Sequence, residues 1–346
     1  MTEVLTPIWR RVLRRPSIRA DEDFFQAGGD PSLARELFSE IGRACGRDVS
    51  PLMLCQAPTI AALAAMLEQP TPFRLSPLVL LKAGSQAPPV FIAHGIGGNL
   101  LDFFRLARHV LTPHPIYGMQ SKGMDGMNEP LQSIEDMAEF HLDAIREVQP
   151  HGPYLLIGYS LGGLVMLEMA QRLSASGEEI GLLAMLDSYP HVNRLAAVPR
   201  LRVMARRATL RASEIKQVPL REALSRIVQR RFRSSPDPRT NGGNRPPAGL
   251  SFAAAAEQVR ENAKLALANY RPRCYSGKIE FVRAETRSYF PNDPVAIWAH
   301  LAAKFEVETV PGDHVKMIAV HFESLAAVLT RYVEEAISED PLDEIA

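Results

Sequence analysis

A serine in a glycine-rich turn is the residue of this 346-residue sequence best suited to nucleophilic chemistry. Ser160 lies in the pentapeptide Gly-Tyr-Ser-Leu-Gly at 158–162, directly after the apolar run 154–157. This is the GxSxG pattern of a nucleophile elbow, a strand-to-helix turn too tight for side chains beside the serine. The turn exposes the hydroxyl, and the positive end of the following helix faces any oxyanion that forms nearby. Glycine turns without catalytic function share this pattern, so the interpretation needs supporting residues.

The serine needs a base and an orienting carboxylate before its hydroxyl becomes nucleophilic. In the α/β-hydrolase chain order, serine is followed first by the acid and then by the histidine. Asp187 follows the apolar run 182–186, and His314 follows the last predicted strand. Catalytic groups of open α/β sheets gather at such carboxyl ends of strands. We therefore predict a triad of Ser160, His314 and Asp187, and expect the competing carboxylate, Asp313, to form a turn.

Two convergent backbone N–H donors are needed to stabilise an oxyanion. We expect one from Leu161, the residue after the nucleophile. The second is expected from the glycine-rich run 94–98, with Ile96 as the favoured position and His94 helping to shape the loop. An ordinary glycine turn is the alternative interpretation of this run.

The elements that must position these residues follow from the apolar pattern. From about residue 89 the sequence alternates short apolar runs with stretches of helical spacing. This alternation predicts a mostly parallel sheet covered by helices on both faces. Strands are predicted at 90–93, 116–119, 154–157, 182–186, 278–283 and 305–309. Helices are predicted from Ser133 to about Val148, from the elbow to about Leu173, and after His314 to about Ala336.

The remaining parts of the chain have a different character. Residues 1–69 carry three apolar stripes at helical spacing and predict a small all-α domain. Residues 70–88 are rich in helix and strand breakers and predict a linker, which places the larger domain at 89–340. Within it, residues of about 191–265 predict a lid inserted after a catalytic strand. Residues 191–245 hold fourteen Arg or Lys against three acidic residues.

Composition narrows the classes of function. The formal net charge is zero, which implies no general attraction to nucleic acid or to a membrane. The three cysteines are scattered, and no zinc-type spacing, HExxH or GxGxxG signature occurs, so we expect no disulfide scaffold and no metal. With no leader-like segment and no long apolar run, we expect a cytoplasmic protein.

Residues 88–338 resemble the type I thioesterase domains of nonribosomal peptide and polyketide synthetases. The matching segments are HGIGGN (94–99), GYSLGG (158–163), LDSYP (186–190), the stretch 270–279 and PGDH (311–314). In that family the acid of the LDSYP-like segment belongs to the triad, which implies this role for Asp187, and a helical lid follows its strand. The implied fold is an α/β-hydrolase. The implied activity releases an acyl or peptidyl chain from a phosphopantetheine thioester through an acyl-serine, by hydrolysis or cyclisation.

Residues 1–69 resemble the carrier domains of the same synthetases, through DEDFFQAGGDPSLA (21–34) and APTIAAL (57–63). Such domains are four-helix bundles in which a serine at the start of the second helix carries a 4'-phosphopantetheine arm. The family reads Gly-Gly-Asp-Ser-Leu or Gly-Gly-His-Ser-Leu, but here Pro31 takes the place of the serine. Ser32 is displaced by one residue, about 100° around the helix. We expect attachment at Ser32; the alternatives are a carrier that is never modified, or one that needs a matched modifying enzyme.

The resemblance implies upstream synthetase modules and a phosphopantetheinyl transferase as partners. Two other functions stay open. The small domain could be an unmodified docking module on an editing or stand-alone serine esterase. The same triad would also serve a lipase or a peptidase, which would prefer oxygen esters or amides to thioesters.

Overall fold

The structure, a computed structural model, describes residues 1–69, 73–194, 201, 204, 250–286 and 293–338 of the chain. A small helical unit is followed by a seven-stranded sheet that helices cover on both faces. The predicted fold class, an α/β-hydrolase preceded by a small all-α domain, is confirmed. No described helix combines the length and the apolar character needed to cross a bilayer.

The sheet has the strand order β1-β3-β2-β4-β5-β6-β7. Its strands are β1 (Leu78–Lys82), β2 (Val90–Ala93), β3 (Ile116–Met119), β4 (Tyr154–Tyr159), β5 (Ile180–Leu186), β6 (Tyr275–Ala284) and β7 (Ala302–Val310). Strand β1 runs antiparallel to its neighbour, whereas the other pairs are parallel. The register places Ala93 beside Gly158, and Leu186 beside Val282, so the carboxyl ends of four central strands lie at one edge.

Ten α-helices are described. They are α1 (Thr2–Val12), α2 (Pro31–Cys45), α3 (Ile60–Glu68), α4 (Phe103–His109), α5 (Ile134–Val148), α6 (Leu161–Ala175), α7 (Phe252–Asn269), α8 (Val295–Trp298), α9 (Lys316–Ala319) and α10 (Phe322–Ser338). Short 3-10 segments lie at Pro51–Cys55 and Val192–Arg194. The strand pleat divides the core: Val90 and Ile92 pack with α4 and α10, whereas Phe91 and Ala93 pack with α5 and α6.

The predicted linker, residues 70–88, contains a strand that the sequence analysis missed. Strand β1 buries Val79 and Leu81 and pairs with β3 at the edge of the sheet. Its five residues are nearly all apolar, so they lack the alternation typical of a half-buried strand. The proline and glycine residues on either side dominated the pattern and favoured a linker.

One other sequence prediction needs correction, and another falls mostly outside the described residues. The last predicted helix is two helices, α9 and α10, because the backbone leaves the helical region at Val320 (φ −120°). The predicted lid, about 191–265, falls mostly outside the described residues; α7 forms its described end.

The helical unit formed by residues 1–69 has its own core. Trp9 and Phe24 are fully buried and meet edge to face, with ring centroids 5.2 Å apart. The 3-10 segment stands where the family resemblance implies the third helix of a bundle. Helix α2 begins at Pro31, the position at which proline costs a helix nothing because its missing N–H would have no partner.

Candidate active site

Ser160 stands at the turn between β4 and α6 with a positive φ of 55°. Such a value is uncommon for a residue with a side chain, and it is the strain typical of a nucleophile elbow. The glycines beside it explain how the turn closes. A Cβ on Gly158 would lie 2.4 Å from the Gly162 carbonyl oxygen, and one on Gly162 would lie 2.4 Å from the His94 carbonyl oxygen. Side chains at both positions are therefore excluded by backbone.

The structure brings the three predicted residues of the triad together. His314 Nε2 lies 3.1 Å from the Ser160 hydroxyl oxygen, and His314 Nδ1 lies 2.7 Å from the Asp187 carboxylate. A carboxylate only accepts, so Nδ1 carries the proton and Nε2 is left to accept from the serine. The arrangement can therefore activate a hydroxyl as a nucleophile.

Asp187 is held at the end of β5 by the neighbouring strand. Its backbone N–H donates to the Val282 carbonyl oxygen at 2.7 Å, and its φ is 44°. The residue is 5 % exposed, so the carboxylate faces the histidine rather than solvent. The competing Asp313 instead accepts from the N–H groups of Val315 and Lys316, which is the expected turn-forming role.

Tyr159 also holds the histidine, and sequence reasoning missed it. Its hydroxyl donates to the His314 carbonyl oxygen at 2.7 Å, and its ring stacks on the imidazole with centroids 4.9 Å apart. Burial raises the pKa of this phenol, so it stays a neutral donor. The GxSxG pattern leaves this position unspecified, and nothing in the local sequence links it to a residue 155 positions later.

The glycine-rich loop 94–98, the predicted oxyanion loop, packs against the elbow. A Cβ on Gly95 would lie 3.5 Å from the Ser160 Cβ and 3.0 Å from the Tyr159 ring. Within the described part of the chain, the N–H groups of Ile96 and Leu161 donate no hydrogen bond. The two predicted donors thus lie on the two segments that flank the serine.

His94 holds this loop in place through two hydrogen bonds. Its Nδ1–H donates to the Gly95 carbonyl oxygen at 2.6 Å, and its Nε2 accepts from the Ser121 hydroxyl at 2.8 Å. Burial lowers the pKa of His94 to about 4, so the ring is neutral and keeps this donor and acceptor pattern. His141, also buried, packs beside it, and burial lowers its pKa to about 3.

Ser32, the predicted attachment residue, is exposed on the first turn of α2. The Asp30 carboxylate caps the helix, accepting from the N–H groups of Ser32 at 2.8 Å and Leu33 at 2.9 Å. Pro31 precedes Ser32 as the first helical residue. Among the described residues, no cluster of His, Cys, Asp or Glu is arranged to hold a metal ion.

Comparison with known families identifies the family to which the chain belongs. The family model for the thioesterase domain matches residues 88–332, well over half of the chain. The chain belongs to the thioesterase family. In front of this thioesterase, residues 3–67 match the model for a phosphopantetheine attachment site, so the cofactor of the small domain is covalently bound phosphopantetheine. The domain boundaries and the individual site residues stay predictions.

The sequence relatives of this thioesterase are nonribosomal peptide synthetases. The dimodular nonribosomal peptide synthase of Bacillus subtilis is 40% identical over 190 residues, covering 55% of this chain and 8% of the relative. Enterobactin synthase component F of Escherichia coli is 35% identical over 175 residues, covering 49% of this chain and 14% of the relative. The chain thus matches only a small part of the length of these curated relatives.

Two solved structures share its fold. A four-domain nonribosomal peptide synthetase bound to AMP and glycine is 21% identical, with a TM-score of 0.57, and the match covers 95% of this chain and 26% of that one. The NocB thioesterase domain, in a covalent complex with a nocardicin G analogue, is 21% identical with a TM-score of 0.51; the match covers 72% of this chain and 95% of that one.

Proposed function

We propose that this thioesterase releases an acyl or peptidyl chain from a phosphopantetheine thioester on its own carrier domain, through an acyl–Ser160 intermediate. The supporting observation is the hydrogen-bonded row from Ser160 to His314 to Asp187, with distances of 3.1 and 2.7 Å. The family supplies the substrate class, and the row of side chains supplies a nucleophile, a base and an orienting acid.

In the first half of the reaction, the hydroxyl oxygen of Ser160 attacks the thioester carbonyl while His314 Nε2 takes its proton. Asp187 holds the Nδ1–H tautomer and stabilises the imidazolium that forms. The Ile96 and Leu161 N–H groups stabilise the charge on the carbonyl oxygen. His314 then returns the proton to the leaving sulfur, which leaves the chain on Ser160 as an ester.

In the second half, His314 removes a proton from water or from a nucleophile within the bound chain. Attack on the ester releases an acid or a ring and restores the Ser160 hydroxyl. The same two N–H groups stabilise the second tetrahedral oxyanion, because it forms at the same carbonyl carbon. The outcome depends on whether the site admits water or the chain's own nucleophile.

Ser32 is our proposed attachment residue for the arm, which when bound supplies a thiol that holds the chain as a thioester. One feature fits this role: the Ser32 side chain is exposed on the first turn of α2. A phosphopantetheinyl transferase would install the arm in the cytoplasm. Because the relatives are whole synthetases, upstream modules would deliver the chain.

The displacement of the serine by Pro31 favours one second candidate, an editing or stand-alone esterase whose small domain is never modified. Intact-mass measurement after incubation with coenzyme A and a transferase separates the two functions. We expect the mass of one phosphopantetheine to be added, and to be absent in Ser32→Ala. No mass gain, or a gain that survives this substitution, would exclude Ser32.

Activity is tested with soluble acyl thioesters, oxygen esters and amides of the same chain. We expect thioesters to be preferred, and Ser160→Ala to lower kcat by about 10⁶-fold. A preference for oxygen esters or amides would favour a lipase or a peptidase, and full turnover by Ser160→Ala would exclude the acyl-serine mechanism.

A further inference from the structure

The outer side of α4, the helix that follows the oxyanion loop, contacts the carrier domain. Phe25 of the carrier stacks on Phe104 of α4, with ring centroids 4.2 Å apart and planes at 7°. Both rings are buried. Both rings belong to one hydrophobic cluster that includes residues of the carrier and of the sheet. The stack is therefore a packed contact between the two parts of the chain.

An ion pair flanks this stack. A guanidinium nitrogen of Arg108 on α4 donates to the Asp23 carboxylate of the carrier at 2.7 Å, and the guanidinium also lies over the Phe25 ring. The two side chains are 25% and 20% exposed. An ion pair sheltered to this degree is less screened by solvent than an exposed one, and reversing one of its charges places like charges in contact.

The contact brings the start of α2 close to the segment that joins the glycine-rich loop 94–98 to α4. A cavity of about 240 Å³ separates the carrier run Gly28–Pro31 from Leu101 and Arg105. Leu101 lies three residues after Gly98, the last residue of the oxyanion loop. Ser32 follows Pro31 directly, so the proposed attachment residue is next in the chain to the lining of this cavity.

The inner side of helix α4 also contacts Tyr159, the residue that packs on His314. Phe103 meets the Tyr159 ring edge to face, with centroids 6.0 Å apart, and Tyr159 in turn stacks on His314. A second contact anchors the far side of the carrier: the Asp48 carboxylate accepts from the Phe252 N–H at the start of α7.

We infer that α4 is the docking site for this chain's own carrier domain during delivery of the thioester, and that the Asp23–Arg108 pair selects this arrangement. The inference rests on the proposed function, because delivery requires an arm on the carrier. The inference names the surface on which the carrier docks, α4, and the residue of that surface that pairs with the carrier, Arg108; the family assignment identifies neither.

A charge-reversal cycle in the full chain tests the docking site. The variants are Asp23→Arg, Arg108→Asp and the double reversal, each loaded with an acyl-phosphopantetheine by a transferase. We expect each single reversal to slow single-turnover release about tenfold, and the double reversal to recover most of the loss. Turnover of a soluble acyl-N-acetylcysteamine thioester by the same variants should change far less, since it needs no docking.

The matched control is Asp21→Arg, which makes the same charge change two residues away. Asp21 pairs with Arg19 within the carrier and is exposed. We expect its release rate to stay within about twofold of wild type, as for most surface changes. If Asp23→Arg and Arg108→Asp slow release no more than this control, or if the double reversal recovers nothing, the docking site is wrong.

Hydrogen exchange of the unloaded chain gives an independent readout. Both single reversals should speed amide exchange in residues 103–109, and the double reversal should restore protection. If loading fails, the attachment proposal is wrong, while this readout still decides the docking site. Unchanged exchange in all variants would overturn it.

Discussion

At the scale of single residues, the proposed role of Asp187 as the acid of the triad can be tested without disturbing the fold. Asp187 has a positive φ, a conformation that asparagine adopts more readily than most residues. An asparagine at this position would keep the backbone bond to Val282, but it could present an amide N–H to His314 and favour the wrong imidazole tautomer.

We therefore expect Asp187→Asn to lower kcat for a soluble acyl thioester by about 10⁴-fold with an unchanged melting temperature. Asp313→Asn is the matched control, because Asp313 lies beside His314 and caps a turn, a role that asparagine also fills, and loses only a long, partly exposed ion pair with Lys316 at 3.8 Å. Steady-state kinetics and thermal melts of both variants decide the assignment. A larger loss in Asp313→Asn would make that residue the acid.

Two buried histidines, His94 and His141, predict how stability depends on pH. Burial lowers the pKa of His94 to about 4 and that of His141 to about 3. The unfolded chain takes up these protons below about pH 6.5, whereas the folded chain does not until the pH reaches the lowered values. Stability is therefore full above pH 6.5 and falls as the pH drops toward 4.

His141→Leu removes one of these groups and should flatten this dependence. Between pH 7.5 and 5 we expect its free energy of unfolding to fall by about 2 kcal/mol less than that of wild type. Urea denaturation at the two pH values measures the difference, and exposed His300→Leu serves as the control. Parallel curves for wild type and His141→Leu would contradict the proton linkage.

At the scale of elements, the site depends on how closely the end of β2 approaches α6, the helix that follows the elbow. A Cβ on Gly162 of α6 would lie 2.4 Å from the His94 carbonyl oxygen and 2.7 Å from that of Ala93. These atoms are backbone at the end of β2, so neither can move aside without shifting the glycine-rich loop 94–98. By contrast, a Cβ on Gly97 would meet only the Asn99 side chain, at an ordinary 3.5 Å.

Gly162→Ala should therefore lower the free energy of unfolding by about 1–3 kcal/mol and reduce kcat by more than the stability loss alone explains. Gly97→Ala makes the same change in the neighbouring loop and should leave the melting temperature nearly unchanged. Chemical denaturation and kinetics with a soluble thioester test both. An equally tolerated Gly162→Ala would show that the packing of β2 against α6 is not limiting.

The same elements show what the sequence could predict. Continuous apolar runs identified β2 to β5 within a few residues, since buried parallel strands need such runs, and the strands predicted at 278–283 and 305–309 overlap the more polar β6 and β7. The motif and the chain order indicated the triad residues that the fold brings together. Strand β1 was missed because proline and glycine residues on either side of its short apolar run favoured a linker, and because its neighbour in the described sheet, β3, lies far along the chain. The Tyr159–His314 bond is likewise a long-range contact with no local signal.

At the scale of the whole molecule, carrier and hydrolase are joined by packing as well as by the chain. Buried carrier residues such as Trp9 and Leu37 belong to one continuous hydrophobic cluster with Phe104 of α4 and Val90 of the sheet. A thioester held on such a docked carrier is presented at an effective concentration set by the short connection, of the order of millimolar.

Delivery from the chain's own carrier should therefore resist competition. A soluble acyl thioester at a concentration equal to its own KM would slow the turnover of a second, dilute soluble substrate about twofold. The same competitor should slow single-turnover release from the loaded carrier by far less. Quenched-flow release with and without the competitor measures this. Asp23→Arg should restore sensitivity, because an undocked carrier spends less time at α4. A twofold slowing in the wild-type chain would mean that tethering to this surface contributes nothing to delivery.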